Sequence, residues 1–351
     1  MPKSTKRMSL LFALTMSVAL AATACAPTAP TDPGADPTGG TTNGASAELE
    51  KVVLAVPNAT FFTSGLPYHV GVDQGIYEKH GLDVEMTVTS GGAGSVQAVA
   101  TGSADMSVDS GAPAVIAAYA EGGPVRAVGS SAKGLALVWF ADAAGPIKTL
   151  EDLSGEKIGF SSNGSSSQLG TFAINEALAL KGLPPAEAVA IGGISDQYTA
   201  VMTGQIAAGF TEPPSLMHEV DAGELTIVAN ITELDNYADY QDVVVRMATA
   251  NAQFLKENPE TVRAFTEAHS EAWDWIFANP EEAVDIWIRD ADLKEPKETL
   301  MTVFDYFTVE DLKMSPMGDV DKVLEVSLET GFIKEPLTDE QVEELVGFAQ
   351  Q

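Results

Sequence analysis

Cysteine is almost missing from this chain: Cys25 is the single one among 351 residues. One thiol excludes an internal disulfide, a Cys-rich metal site and a redox pair. Histidine is scarce as well. His69, His80, His218 and His269 show no H-E-x-x-H spacing, so no metal site is expected. Bases number 19 against 50 acids, a formal net charge of −31. Such a surface disfavours nucleic acid and anionic lipid as partners. No G-x-x-x-x-G-K-[ST] loop occurs, so ATP hydrolysis is not expected here. No G-x-S-x-G occurs either. GAGSVQ at 92–97 lacks the third glycine of a dinucleotide fingerprint, and no cofactor is expected. Ser130-Ser131-Ala132-Lys133 fits S-x-x-K, but the S-D-N and K-T-G elements that accompany it in penicillin-recognising enzymes are absent.

What is present starts with an export signal. Residues 1–24 hold Lys3, Lys6 and Arg7, then an apolar run from Leu10 to about Leu20, then small residues. The run is short for a membrane span. Removing these residues leaves 16 bases against 50 acids, a net charge of −34. The ending AATAC resembles the lipobox of bacterial lipoproteins, with Ala22 in place of the usual Leu. That resemblance implies lipidation at Cys25 and a chain held on the outer face of the cell membrane. Residues 25–48 are Pro, Thr, Gly and Ala with almost no large apolar side chain, and read as a disordered tether.

The folded part alternates strands and helices. VVLAV at 52–56 is a continuous β-branched run, the pattern of a parallel strand buried on both faces. A helix is expected over 66–79, a strand at LDVEMTV, a helix over 94–101, a strand over 104–108 and a helix over 113–120. This order is βαβαβ and gives an α/β class. A second unit follows. Strands are expected at LALVWF, 157–160, AVAIG, IAAGF (206–210) and LTIVA, with helices over 166–181, 195–203 and 213–221. DVVVRMATA at 242–250 is a long strand that returns to the first unit. The remainder is helical, with Asn258-Pro259 and Asn279-Pro280 opening helices. Trp273, Trp275 and Trp287 keep helical spacing and are read as packing residues.

Two Gly/Ser stretches organise the chain, SGGAGS at 90–95 and SSNGSSSQLG at 161–170. Each precedes a helix. Helix N-termini carry unpaired N–H groups and about half a positive charge, and glycines let a ligand approach the backbone. Two such mouths suggest two lobes closing on one small molecule.

The order of segments resembles a family. LPYHVGVDQGIYEKHGLDVE (66–85), GGAGSVQAVATGSADMSV (91–108), LEDLSGEKIGFSSNGSSSQ (150–168) and MTGQIAAGFTEPP (202–214) are similar to blocks of ABC-importer solute-binding proteins. The group is that of nitrate, sulfonate, taurine and thiamine-precursor (hydroxymethylpyrimidine) binders. Ala207-Ala208 departs from its Asp-Ala. The Cys-rich motif of the eukaryotic thiamine-pyrimidine synthases is absent, and on that ground no enzymatic activity is expected. The resemblance implies a two-lobed type II periplasmic-binding-protein fold with two crossover strands. Its lobes would be 49–140 with 245–351, and 141–244. It also implies a monomer that delivers a small-molecule solute to a membrane permease served by a separate ATPase subunit.

Contacts are expected in the loops after the strands. Asn58, Phe61, Phe62 and Ser64 come from the first loop, and of the two phenylalanines one stacks or both pack. Gly94 and Ser95 open a helix, and Asp109 and Ser110 end a strand. From the second lobe come Asn163, Ser165, Ser166, Ser167, Asp196, Tyr198 and Glu212. These loops hold three carboxylates and no arginine, with Lys133 and His69 as the nearest bases. Carboxylates accept N–H groups, which favours a nitrogen-bearing or aromatic ligand over a sulfonate, taurine or nitrate. An exported hydrolase built on paired carboxylates, or a sensor lipoprotein, are the readings from other classes.

Overall fold

A computed structural model describes residues 48–317 and 320–350. The expected signal peptide, Cys25 and the tether up to residue 47 lie outside the described residues. The strands are β1 (Glu50–Val56), β2 (Leu82–Val88), β3 (Met106–Gly111), β4 (Val125–Lys133), β5 (Val138–Asp142), β6 (Lys157–Phe160), β7 (Glu187–Ala190), β8 (Gly209–Thr211), β9 (Leu225–Asn230) and β10 (Val244–Asn251). Helices used below are α1 (Gly65–Asp73), α2 (Ile76–Lys79), α3 (Gly92–Thr101), α4 (Ala112–Ala120), α5 (Ser166–Leu180), α6 (Ile194–Met202), α7 (Met217–Asp221), α8 (Ala252–Glu257), α9 (Pro259–Ala278) and α10 (Pro280–Ala291).

Five strands form one sheet in the order β2-β1-β3-β10-β4. β1 runs parallel to β2 and β3, while β10 is antiparallel to both β3 and β4. The second layer is built from β8-β5-β9 and β6-β7. A parallel bridge from Ile158 to Ala208 joins these two pieces. The chain therefore leaves the first sheet after β4, builds the second, and returns through β10. The β-branched and apolar residues of β1 explain its central place: Val52, Leu54, Ala55 and Val56 are fully buried, as a strand covered on both faces requires.

Three expected helices differ in the structure. The helix over 66–79 is two, because Gly75 adopts a left-handed φ of 63° and ends α1. The helix at 94 begins at Gly92, capped by Gly91. The helix at 213 begins only at Met217. Pro213 and Pro214 lack N–H groups, and the chain turns through them with Thr211 Oγ1 donating to the Ser215 carbonyl at 2.9 Å. β3 starts two residues later than expected and runs three further, carrying Asp109, Ser110 and Gly111 inside the sheet. Its end pairs with β10, Met247 opposite Ser110 and Arg246 opposite Gly111.

Candidate functional site

The carboxyl ends of β1, β2, β3, β6, β7 and β8 face one cavity of about 360 Å³. This is where an open α/β sheet exposes its loops and helix N-termini. Asn58 and Phe61 follow β1, Ser90 to Gly92 follow β2, and Asp109 and Gly111 end β3. From the second layer Ser161 and Ser162 follow β6, Gly192 and Gly193 follow β7, and Phe210 and Glu212 lie at β8. Both Gly/Ser stretches thus wall the same space.

Arg246 forms the charged floor. It sits on β10, is 8% exposed, and stands between Asp109 (6%) and Glu212 (5%). Nη1 lies 3.0 Å from Asp109 Oδ1, and Nη2 pairs with Glu212 Oε2. Nη1 donates to Thr63 Oγ1 at 2.9 Å and to Glu212 Oε1 at 3.3 Å, and Nε donates to Ser166 Oγ at 3.3 Å. Thr63 Oγ1 donates in turn to Asp109 Oδ2 at 2.9 Å. Burial opposes the guanidinium charge, but Asp109 and Glu212 outweigh it and raise the Arg246 pKa above its ordinary value. Asp109 adopts a left-handed φ of 60°, a conformation short polar side chains tolerate better than most.

Of the residues expected from sequence, Asn58, Phe61, Asp109, Ser165, Ser166, Ser167, Asp196 and Glu212 line the cavity. Their local roles are visible. Ser165 Oγ caps α5 by accepting from Gln168 N–H at 3.2 Å. Ser167 Oγ accepts from Ser161 N–H at 3.0 Å. Asp196 Oδ2 accepts from Gly193 N–H at 3.1 Å at the start of α6. Asn58 Oδ1 accepts from Thr60 N–H at 2.8 Å and shapes the first loop.

The other expected residues stand elsewhere. Phe62 packs in the core, with ring centroids 5.2 Å from Trp273, 5.9 Å from Trp287 and 5.6 Å from both Phe304 and Phe307. Ser64 is buried and donates to the Asn58 carbonyl at 2.8 Å. Ser95 is buried and hydrogen-bonded to Thr89 Oγ1, one turn inside α3, so Gly91 and Gly92 line the cavity in place of Gly94 and Ser95. Ser110 turns the other way along β3 and bonds Ser107 Oγ at 2.7 Å. Asn163 is exposed at a turn away from the wall. Tyr198 packs on the cluster of Phe140, Ala200, Val201 and Ile206.

The expectation of a site without arginine is corrected by Arg246, and Thr63 belongs to the same network. The signal was the one base inside DVVVRMATA: a base within a β-branched run has to find buried acids. Neither Lys133 nor His69 lines the cavity. His69 instead bonds the Ala59 carbonyl through Nε2 at 3.2 Å, and burial lowers its pKa.

Known proteins resemble this arrangement. The profile of the NMT1/THI5-like family matches residues 63–283. The riboflavin-binding protein RibY of Chloroflexus aurantiacus is 25% identical over 285 residues, 77% of this chain and 74% of that protein. The structure of the alkanesulfonate-binding protein SsuA from Xanthomonas axonopodis pv. citri, bound to MOPS, matches with a TM-score of 0.65. It covers 86% of this chain and 98% of its own at 14% identity, and shares the fold. That fold is the two-lobed α/β fold of periplasmic binding proteins. One expectation is overturned here. The 4-amino-5-hydroxymethyl-2-methylpyrimidine phosphate synthase THI11 of Saccharomyces cerevisiae is 25% identical over 254 residues, 65% of this chain and 68% of its own. Enzymes therefore stand among the relatives, and the expectation that the chain is no enzyme does not hold.

Proposed function

We propose, for a chain that belongs to the NMT1/THI5-like family, an extracytoplasmic solute-binding function. The cavity captures a small polar or aromatic solute, with a nitrogen-bearing one favoured, and the protein hands it to an ABC permease driven by a separate ATPase subunit. The observation that carries this reading is the cavity itself, walled by loops of both sheets and by the N-terminal ends of α3, α5 and α6. A molecule touching both walls gains its full binding free energy only when they are together, and so shifts the open–closed equilibrium. Lobes of 49–140 with 245–351 and of 141–244, an export signal over 1–24, a lipid anchor at Cys25 and a tether over 25–48 complete the proposal.

A second reading, an anionic solute such as a sulfonate or nitrate, draws on the N-terminal end of α3. It has glycines at its cap and first position and no side-chain cap. A thermal-shift screen over sulfonates, nitrate, pyrimidines, amines and aromatic acids tests both. A ligand of the folded state raises the melting temperature by mass action. At least one class is expected to do so; no shift from any class at millimolar concentration overturns the solute-binding function.

A further inference from the structure

The charges at the cavity floor do not cancel. Arg246 faces two carboxylates, Asp109 and Glu212, and all three are at least nine-tenths buried. Among the described residues, two carboxylates share this one guanidinium, in a place where water screens charge poorly. Asp196, exposed on the same wall, adds a third carboxylate.

Among the described residues, the hydrogen bonds leave a particular buried atom without a donor. Arg246 Nη1 directs its hydrogens at Thr63 Oγ1 and Glu212 Oε1. Asp109 Oδ1 lies 3.0 Å from Nη1 but accepts no hydrogen bond, although it is buried at the cavity wall. On the second layer's side, Ser162 Oγ is also buried without a partner. Of the three helix ends at the wall, Ser165 caps α5, and Asp196 places a carboxylate on the Gly193 N–H at the start of α6, where it opposes an anion; α3 has no side-chain cap.

We propose that the cavity takes a solute bearing a positively charged N–H donor group, an ammonium or amidinium, seated on Asp109 Oδ1, with Arg246 serving as internal counter-ion and not as an anion receptor. The inference rests on the solute-binding function above. The incoming cation supplies a second positive charge and gives Asp109 Oδ1 its donor, a charge-assisted bond stronger than a neutral one. Phe61 and Phe210 offer apolar faces for the rest of the molecule.

The test uses compounds matched in skeleton and differing in charge: benzylamine, benzamidine and butylamine against benzyl alcohol, benzoate, benzenesulfonate and butanesulfonate. Binding is read by thermal shift and calorimetry. Cationic members are expected to bind and the anions not. Asp109→Asn is expected to weaken a cationic hit by at least about tenfold. Should that variant fold poorly, Asp196→Asn removes charge from an exposed position and keeps an amide oxygen facing Gly193. It is expected to weaken the cation about two- to fivefold, less in high salt. Binding of anionic or neutral members alone overturns the cation assignment and leaves solute binding standing. A cationic hit indifferent to both substitutions overturns the role of the carboxylates. A panel with no hit in any class counts against solute binding itself, and the assignment falls with it.

Discussion

A Cβ added to Gly111 would lie 2.3 Å from the carbonyl oxygen of Gly164. Gly111 ends β3 in the first sheet, and Gly164 lies in the 161–170 stretch of the second layer. The same oxygen accepts from Ala114 N–H. The end of β3 and the 161–170 stretch therefore touch through bare backbone. Gly111 has an ordinary φ of −57°, so nothing but this approach forbids a side chain there. Gly111→Ala is expected to cost about 1–3 kcal/mol of stability in this arrangement. Small-angle scattering is expected to show a more extended particle. A variant as compact and as stable as the parent would contradict the contact.

Removing Arg246 is expected to be more damaging than removing a surface base. Arg246→Met leaves Asp109 and Glu212 buried with no cation, at a cost of about 3–5 kcal/mol. Arg246→Lys keeps the charge but not the fork that reaches Thr63, Ser166 and Glu212 together, so it recovers only part of the loss. Urea unfolding of both variants measures the difference.

Neighbouring phenylalanines are expected to separate stability from binding. Phe62→Ala empties the centre of a ring cluster and should cost about 3–5 kcal/mol. Phe61→Ala removes part of the cavity wall and should leave stability near the parent while weakening solute binding. Denaturation midpoints beside calorimetric affinities check the pair. Equal losses of stability would contradict the division.

His269 sets a pH dependence. It is buried beside Tyr77, whose hydroxyl lies 3.1 Å from Nδ1, and burial pushes its pKa down to about 3. The unfolded chain therefore takes up the proton first as pH falls. The neutral ring contributes stability above about pH 6.5, and this is lost progressively toward pH 3, by about 1.4 kcal/mol per pH unit. His269→Gln removes the titration. The parent's stability is expected to fall more steeply than the variant's between pH 6 and pH 4, followed by urea titration at each pH.

Much of the fold is legible because its strands are nearly pure. VVLAV, KIGF and LTIVA have no reading except buried strands, and the asparagine–proline pairs mark the starts of α9 and α10 without ambiguity. The cavity is legible at the level of loops, because Gly/Ser runs before helices have few other uses. Side-chain direction is not legible. Phe61 and Phe62 are chemically alike, and only the chain's path after Pro57 sends one to the wall and the other to Trp273. Asp109 and Ser110 part because the left-handed backbone at Asp109 breaks the regular alternation of β3 and brings Ser110 back to Ser107. Arg246 escapes because its partners lie 137 and 34 positions away, and no local pattern joins them.

Trp139 holds a further consequence. Its indole N–H donates to the Gly159 carbonyl at 3.0 Å, and its ring lies 6.3 Å from Phe210, a side chain of the cavity wall. A wholly buried indole one ring behind the cavity wall is a built-in optical gauge. When an occupant presses on Phe210, the emission of this protein should change with no dye attached, and Trp139→Phe should silence that response while Trp273 and Trp287 go on glowing from the far cluster.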